Sequence, residues 1–174
     1  RRFVLERSGG QIAIDGSIGE PGASFHQRNP GTRDQLAKKY GGTENTEKAV
    51  ELGLDWLAGL QFPDGHWSLH ELPKESGDES GFVFGTMQSD TAATGLALLS
   101  YLGAGYTHTE GKHRDAVRRA VQWLVANQKA DGDLFAGGSK YVWFYSHGIA
   151  AISLCEAYGM TRDPELREPA AKAI

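Results

Sequence analysis

Side chains able to do chemistry gather at three places in this sequence. The densest is the run Tyr141, Val142, Trp143, Phe144, Tyr145, which leads through Ser146 into His147. Aromatic rings beside a histidine can line a pocket for a prenyl chain, a peptide or a sugar. Tyrosine with histidine can also serve a polysaccharide lyase or a glycosidase, but glycosidases use paired carboxylates and none is evident. The competing reading is burial of these rings between helices. The second place is Asp90, at the head of the uncharged stretch Thr91 to Leu102, where an aspartate makes a good helix N-cap. The third is Asp64, Gly65, His66 and Trp67, whose Asp-Gly pair reads as a helix-terminating turn. His26, His70, His108 and His113 show no partner spacing, and solvated loops are their expected place. Cys155, the single cysteine, lies in an apolar stretch as a small core residue and leaves no partner for an internal disulfide.

The elements that must hold these groups repeat. Ala49, Val50, Trp56, Leu57, Gln61, Asp64 and Gly65 return sixty-seven positions later as Ala116, Val117, Trp123, Leu124, Gln128, Asp131 and Gly132. From Thr46, Val50, Gly53, Leu54 and Leu57 share one helical stripe while Glu47, Lys48, Glu51 and Asp55 fall off it, which predicts a half-exposed outer helix. Thr91 to Leu102 is apolar on every side and predicts a buried inner helix. The pair then recurs. An outer helix begins near His113, with Arg114, Asp115, Arg118 and Arg119 on its wet face, and a second inner helix covers Ser146 to Tyr158 with Glu156 as its one acid. Leu96, Leu98, Leu102 and Gly103 correspond to Ile152, Leu154, Tyr158 and Gly159. Asp163 and Pro164 are a cap and first-turn pair, and Pro169 to Ile174 matches the opening at Ala116, so a third repeat starts there.

Two segments do not follow this pattern. Residues 1–44 carry many glycines between short apolar groups such as Phe3, Val4, Ile12 and Ile14, which predicts an irregular extension with room for one hairpin. Thr32 and Gln35 are spaced as a capping box, and Gly41 and Gly42 follow Tyr40, so a short helix over 33–40 is expected. After Gly65 comes a loop of more than twenty residues rich in charge and glycine, through His70, Glu71, Lys74, Glu75, Asp78 and Glu79. Loops of that length are usually functional or insertions.

Composition narrows the partners. With 174 residues the chain can bury a real core, and a net charge of -4 offers no basic field for nucleic acid. No apolar run reaches the roughly 18 residues that a membrane span needs. The chain starts at Arg1 and stops at Ile174 inside the opening of a helix, so a longer protein is expected. Nothing in the sequence assigns a compartment.

Gln61, Gly65 and Trp67 match the Q-x3-G-x-W core of the QW motif, so the chain resembles the squalene and oxidosqualene cyclase and protein prenyltransferase repeat superfamily over residues 46–174. The second copy departs from the motif, with Leu134 in place of the tryptophan. Helical hairpins with an amphipathic outer and an apolar inner helix can stack side by side and curve into a double ring. The fold expected is therefore all-α, an α/α toroid of the resembling family, with residues 45–174 as two hairpins plus the start of a third. The family's ring takes roughly five to seven hairpins, so an open arc, missing repeats or self-association to complete the ring is implied. In such a ring the inner-helix N-termini face one mouth. That would let Trp67, Tyr141, Trp143, Tyr145 and His147 contact an apolar or extended small-molecule or peptide ligand.

The resemblance also supplies two catalytic templates. Squalene-hopene-type cyclases carry D-x-D-D-T-A at the head of an inner helix; here Asp90, Thr91 and Ala92 match its last three letters, while Met87 and Ser89 stand where the other aspartates would be. A lone Asp90 lacks the neighbouring carboxylates that keep one acid protonated. Prenyltransferase β subunits bind zinc through a D-x-C pair and a later histidine. Asp64, His66 and His147 resemble that set, with histidine for cysteine, and O, N, N ligands with an open position suit zinc. Set against these, Asp90 reads as a cap and His147 as a packing residue. The reading that results is a cyclase/prenyltransferase-like repeat domain acting as a binding scaffold, the alternative being a terpenoid cyclase or zinc-dependent prenyltransferase with further site residues outside this chain.

Overall fold

The structure is a computed structural model that describes residues 3–7, 10–14, 23–74 and 86–174. The glycines at 16, 19 and 22 and the charged loop residues Glu75, Asp78 and Glu79 lie outside the described residues. In the extension, β1 (Phe3–Arg7) and β2 (Gly10–Ile14) form an antiparallel hairpin with Phe3 opposite Ile14 and Arg7 opposite Gly10. A 3-10 turn at Ala23–Arg28 leads into α1 (Pro30–Lys39). This helix starts earlier than the Thr32–Gln35 spacing predicts, because Pro30 occupies its first turn with φ already set for a helix. Gly41, at φ 93°, follows its end as expected.

The repeats follow. The outer helix α2 (Glu44–Gly59) opens on a capping box between Thr43 and Thr46, two residues ahead of the predicted start. Inner α3 (Asp90–Gly103) pairs with it. Outer α4 (Arg114–Ala126) and inner α5 (Trp143–Thr161) form the second hairpin, and α6 (Pro164–Lys172) follows it. Asp163 caps α6 by accepting the Glu165 N–H at 2.9 Å, with Pro164 next to it, as the sequence predicts. α5 starts three residues before the predicted Ser146, which places Trp143, Phe144 and Tyr145 in its first turn. The repeat region is all-α, as an α/α-toroid arc requires.

The two inner helices make the closest helix pair. Gly95 permits this, since a Cβ there would come within 2.9 Å of the Ile149 side chain and 3.1 Å of the Ala150 nitrogen. Leu98, Tyr101 and Leu102 of α3, Leu124 of α4, Leu134 of the turn that follows α4 and Leu154 of α5 are fully buried together, each contributing roughly 2 kcal/mol of transfer free energy. The inner helices nonetheless hide hydroxyls. Thr94 accepts the Trp67 N–H at 3.0 Å, and Thr91 donates to the Leu134 carbonyl while accepting the Ala136 N–H. One inner helix therefore pins the turns of both repeats.

The repeats are joined by one device used twice. The Gln61 side-chain amide donates to Gly65 O of its own turn at 2.8 Å and to Ala116 O of α4 at 2.9 Å. Gln128 does the same to Gly132 O at 3.2 Å and Pro169 O of α6 at 2.9 Å. The glycines of these turns, at φ 106° and 93°, lie so close to the Arg119 and Lys172 backbones that any Cβ would overlap a carbonyl. Ala116 and Pro169 thus accept equivalent hydrogen bonds, from Gln61 and Gln128. The Q and G of the QW pattern are the coupling itself.

The extension closes the other end of the inner helices. Phe25 packs where a Cβ on Gly159 would sit, and Arg28 forks onto Glu156 with contacts of 2.5 and 3.3 Å. Bidentate pairing of this kind orients both partners. The single acid of the inner helix thereby finds its partner 128 positions earlier in the chain.

Candidate binding site at the head of the inner helices

The N-terminal ends of α3 and α5 assemble a platform from residues that the fold does not use elsewhere. Tyr141, Trp143, Phe144 and Tyr145 are all exposed, Tyr141 at 93% and Phe144 and Tyr145 at 71% each. The expectation that these rings are buried between helices is therefore corrected. They fall on the first turn of α5 and the 3-10 turn before it, Lys140–Val142, where no helix among the described residues covers them. Tyr145 and Ile152 are seven residues apart, two helical turns on one stripe. Ile152 is exposed, and so is its repeat equivalent Leu96 on α3. An apolar strip consequently runs from the aromatic end along the inner helices. Met87, also exposed, precedes α3.

Trp67 does not join this platform. It is 4% exposed, its indole N–H donates to Leu57 O at 2.8 Å, and its ring lies 6.0 Å from that of Tyr101. Its role as a ligand contact gives way to a role in the core, because the tryptophan closes the turn back onto the outer helix that precedes it.

His147 is half-buried behind the aromatic run. Its Nδ1 accepts the Leu134 N–H at 3.2 Å, which puts the ring proton on Nε2, and its ring stacks near Trp143 at 6.4 Å. The Asp133 carboxylate lies 3.5 Å from the same nitrogen. Partial burial pushes the Asp133 carboxyl up, but hydrogen bonds from Lys129, the Trp143 indole and the Phe135 N–H outweigh it and hold the group at about 2. Asp133 is thus a fixed anion that anchors Trp143 at 3.0 Å and leaves its ring edge to solvent.

The zinc set is not assembled. Asp64 Oδ1 and His66 Nδ1 face each other at 2.6 Å, and Asp64 Oδ2 accepts the Trp123 indole N–H. The His66 ring stacks on Phe62 at 4.3 Å. His147 is committed to Leu134 and Asp133 instead. Among the described residues no group of three His, Cys, Asp or Glu side chains is placed to hold a metal. The residues present do not fit the zinc that the prenyltransferase resemblance implies.

Asp90 also differs from expectation. The N-cap of α3 is Ser89, whose hydroxyl accepts the Ala92 N–H at 3.0 Å and lies 2.7 Å from Ser146 Oγ. Ser146 donates to Val142 O, so Ser89 must donate to Ser146. With the cap supplied by Ser89, the Asp90 carboxylate is released. Its Oδ1 is buried without a hydrogen-bond partner among the described residues and stands 3.6 Å from His70 Nδ1. Ser68 Oγ faces the same nitrogen at 2.9 Å. Both neighbours on one nitrogen exclude a Ser-His-Asp relay, which needs one partner on each. Sequence reasoning missed His70 as the neighbour of Asp90 because the long loop separates them; the Ser89 cap was legible as a serine three residues before Ala92.

Two comparisons with known proteins bear on the family. Residues 31–141 match the family model described as the squalene-hopene cyclase C-terminal domain. The squalene–hopene cyclase of Zymomonas mobilis is 30% identical over 101 residues, which is 56% of this chain and 14% of that protein. The aligned stretch thus spans only a small part of its curated relative. No solved structure matches the chain. Among the described residues no helix is long and apolar enough to cross a membrane. With the QW coupling present twice and more than half of its residues matched, the chain belongs to the squalene-hopene cyclase C-terminal domain family.

Proposed function

We propose that this domain binds an apolar, extended ligand along the exposed strip of its inner helices, with Tyr141, Trp143, Phe144 and Tyr145 as the entry platform. The observation that supports it is the exposure of four consecutive-turn aromatics at the head of a helix that is otherwise packed on its neighbour. Exposed rings with a continuing aliphatic strip mark a ligand groove more often than a solvated surface. The name of the relative favours a polyisoprenoid over a peptide or sugar. In this reading residues 45–174 do the binding, residues 1–44 close the far end through Phe25 and Arg28, and self-association through the exposed side of α2 extends the arc. The test is titration with squalene or farnesol while following tryptophan fluorescence. Saturable change that is lost in the double substitution Phe144→Ser, Tyr145→Ser supports the reading, and an unchanged spectrum overturns it.

A second reading rests on Asp90. Its Oδ1 is buried without a hydrogen-bond partner among the described residues at the head of an inner helix, and a carboxylic acid so placed can give its proton to a double bond, forming a C–H bond and a cation that a base or water then quenches. Met87 and Ser89 leave it without the carboxylate neighbours of the cyclase motif. Product analysis after incubation with squalene decides: cyclised product that disappears in Asp90→Asn supports the acid role, and no product in either removes it from this chain.

A further inference from the structure

The head of α5 carries many side-chain donors, and most are either committed inward or fully hydrated. The Trp143 indole N–H goes to Asp133 Oδ2 at 3.0 Å, the Ser146 hydroxyl to Val142 O at 2.7 Å, and the Ser89 hydroxyl to Ser146. The Lys129 ammonium is paired with the same Asp133 at 2.6 Å. The hydroxyls of Tyr141 and Tyr145 sit on rings that are 93% and 71% exposed, and Lys140 is exposed as well, so water serves them.

His147 differs from all of these. With Nδ1 accepting the Leu134 N–H, the neutral ring carries its proton on Nε2, and that N–H makes no hydrogen bond among the described residues. The side chain is 26% exposed. The Nε2 atoms of His66 and His113 also lack partners, but those two are sealed inside the protein; the Nε2 of His147 is not, so a ligand can reach it. A bare donor in a half-buried place gains more from an acceptor than one surrounded by water. Its surroundings indicate what brings that acceptor. The His147 ring lies 6.4 Å from that of Trp143 and within 15° of parallel to it, and Phe144 is three residues earlier on the same helix, so both platform rings stand one turn towards the mouth. From Phe144 a row of every fourth residue continues through Gly148 to the exposed Ile152. A Cβ on Gly148 would meet no described neighbour outside its own helical turn within 4 Å, which leaves a gap where a chain can lie against the helix.

We propose that the occupant of the platform is an oxygen-bearing isoprenoid rather than a hydrocarbon, its alcohol or ether oxygen accepting from His147 Nε2 and its chain crossing Phe144 towards Ile152. This rests on the platform binding an apolar ligand, and adds the chemical class of that ligand and the residue that selects it. One free N–H beside an apolar row matches a molecule with one acceptor and a hydrocarbon tail. A pure hydrocarbon would cover the Nε2–H and leave it unpaired, at the cost of its lost hydration.

Titration of the whole chain with farnesol, with its methyl ether and with farnesene, a hydrocarbon of the same skeleton, followed by tryptophan fluorescence, tests this. Farnesol and the ether should bind alike and roughly tenfold tighter than farnesene, the worth of one hydrogen bond. In His147→Asn the amide oxygen can still take the Leu134 N–H while the distal donor is gone, and all three ligands should bind at the farnesene affinity. The comparison of ligands on the unsubstituted chain decides even if that variant does not fold. Equal affinities for farnesol and farnesene, or a preference that persists in folded His147→Asn, overturn the role of His147 and leave the apolar platform standing. Tight binding of farnesol without its ether also overturns it, since that marks a ligand oxygen that donates. Saturation by none of the three overturns both the platform and its selectivity.

Discussion

The two repeats share a backbone and differ in how side chains secure it. In the first turn Phe62 N–H donates to His66 O at 2.9 Å and Gly65 N–H to Phe62 O at 2.9 Å; in the second Lys129 donates to Asp133 O at 2.8 Å and Gly132 to Lys129 O at 2.9 Å. The side chains across those turns are a stacked Phe62–His66 pair in one and a Lys129–Asp133 ion pair at 2.6 Å in the other. The outer helices differ in a second way. Val117 of α4 is fully buried, whereas its counterpart Val50 of α2 is 39% exposed, and Ala49 and Gly53 are exposed where Ala116 and Ala120 are buried. The same apolar stripe is a core in one place and a surface in the other, because of these two helices α4 alone has a Q-x3-G turn docked on it among the described residues. Amphipathicity alone does not decide burial; the neighbour does.

The largest effect should come from the coupling glycines. Gly65→Ala forces a strained φ and a clash with Arg119, at a cost of about 3 kcal/mol or more. Urea denaturation should show this as a loss of global stability. Gly132→Ala meets the same strain but should release α6 alone, seen as faster amide exchange over 164–172; equal global loss in both variants would break the contrast. Next comes Gln61→Leu, which strips the donor from two carbonyls and should cost about 2 kcal/mol in the urea midpoint. Val117→Ala should cost about 1.5 kcal/mol by the methyl groups it withdraws, against less than about 0.5 kcal/mol for Val50→Ala. If Val50→Ala is as costly, α2 is covered in solution by another repeat or a second copy.

The smallest effect distinguishes the ion pair from the stack. Asp133 has its carboxyl depressed from 3.8 to about 2, so its contribution is present above the unfolded value and is lost as pH falls from about 4 towards 2. Acid titration of stability should therefore soften over that window in the wild type. Asp133→Asn should remove that part of the slope. An unchanged slope would show that Lys129 and Trp143 do not hold the carboxylate in solution.

The sequence made the repeats, the outer and inner assignments and the cap at Asp163 legible, because each rests on local periodicity or on one cap residue. It left the joints half-read. Gln61 and Gly65 stood out as a motif, but their partners are main-chain carbonyls at Ala116 and Arg119, which leave no signature in residue type. Burial of the aromatic run was the wrong expectation for a similar reason. Ring size argues for burial, yet exposure depends on whether a further helix covers the first turn of α5. Asp90 read as the cap because aspartate and serine are equally suited, and only the Ser89–Ser146 bond separates them. The Arg28–Glu156 pair joins positions too distant in the chain for any pattern to connect.

The coupling turn has one consequence for how such a chain can change. Its donor half needs a glutamine and a glycine, but its receiving half is a peptide oxygen, which alanine and proline present equally well at positions 116 and 169. Each repeat is thus an interchangeable part with a universal socket. Outer helices can diverge freely in side chain, be duplicated or be exchanged, and still be gripped by the repeat before them.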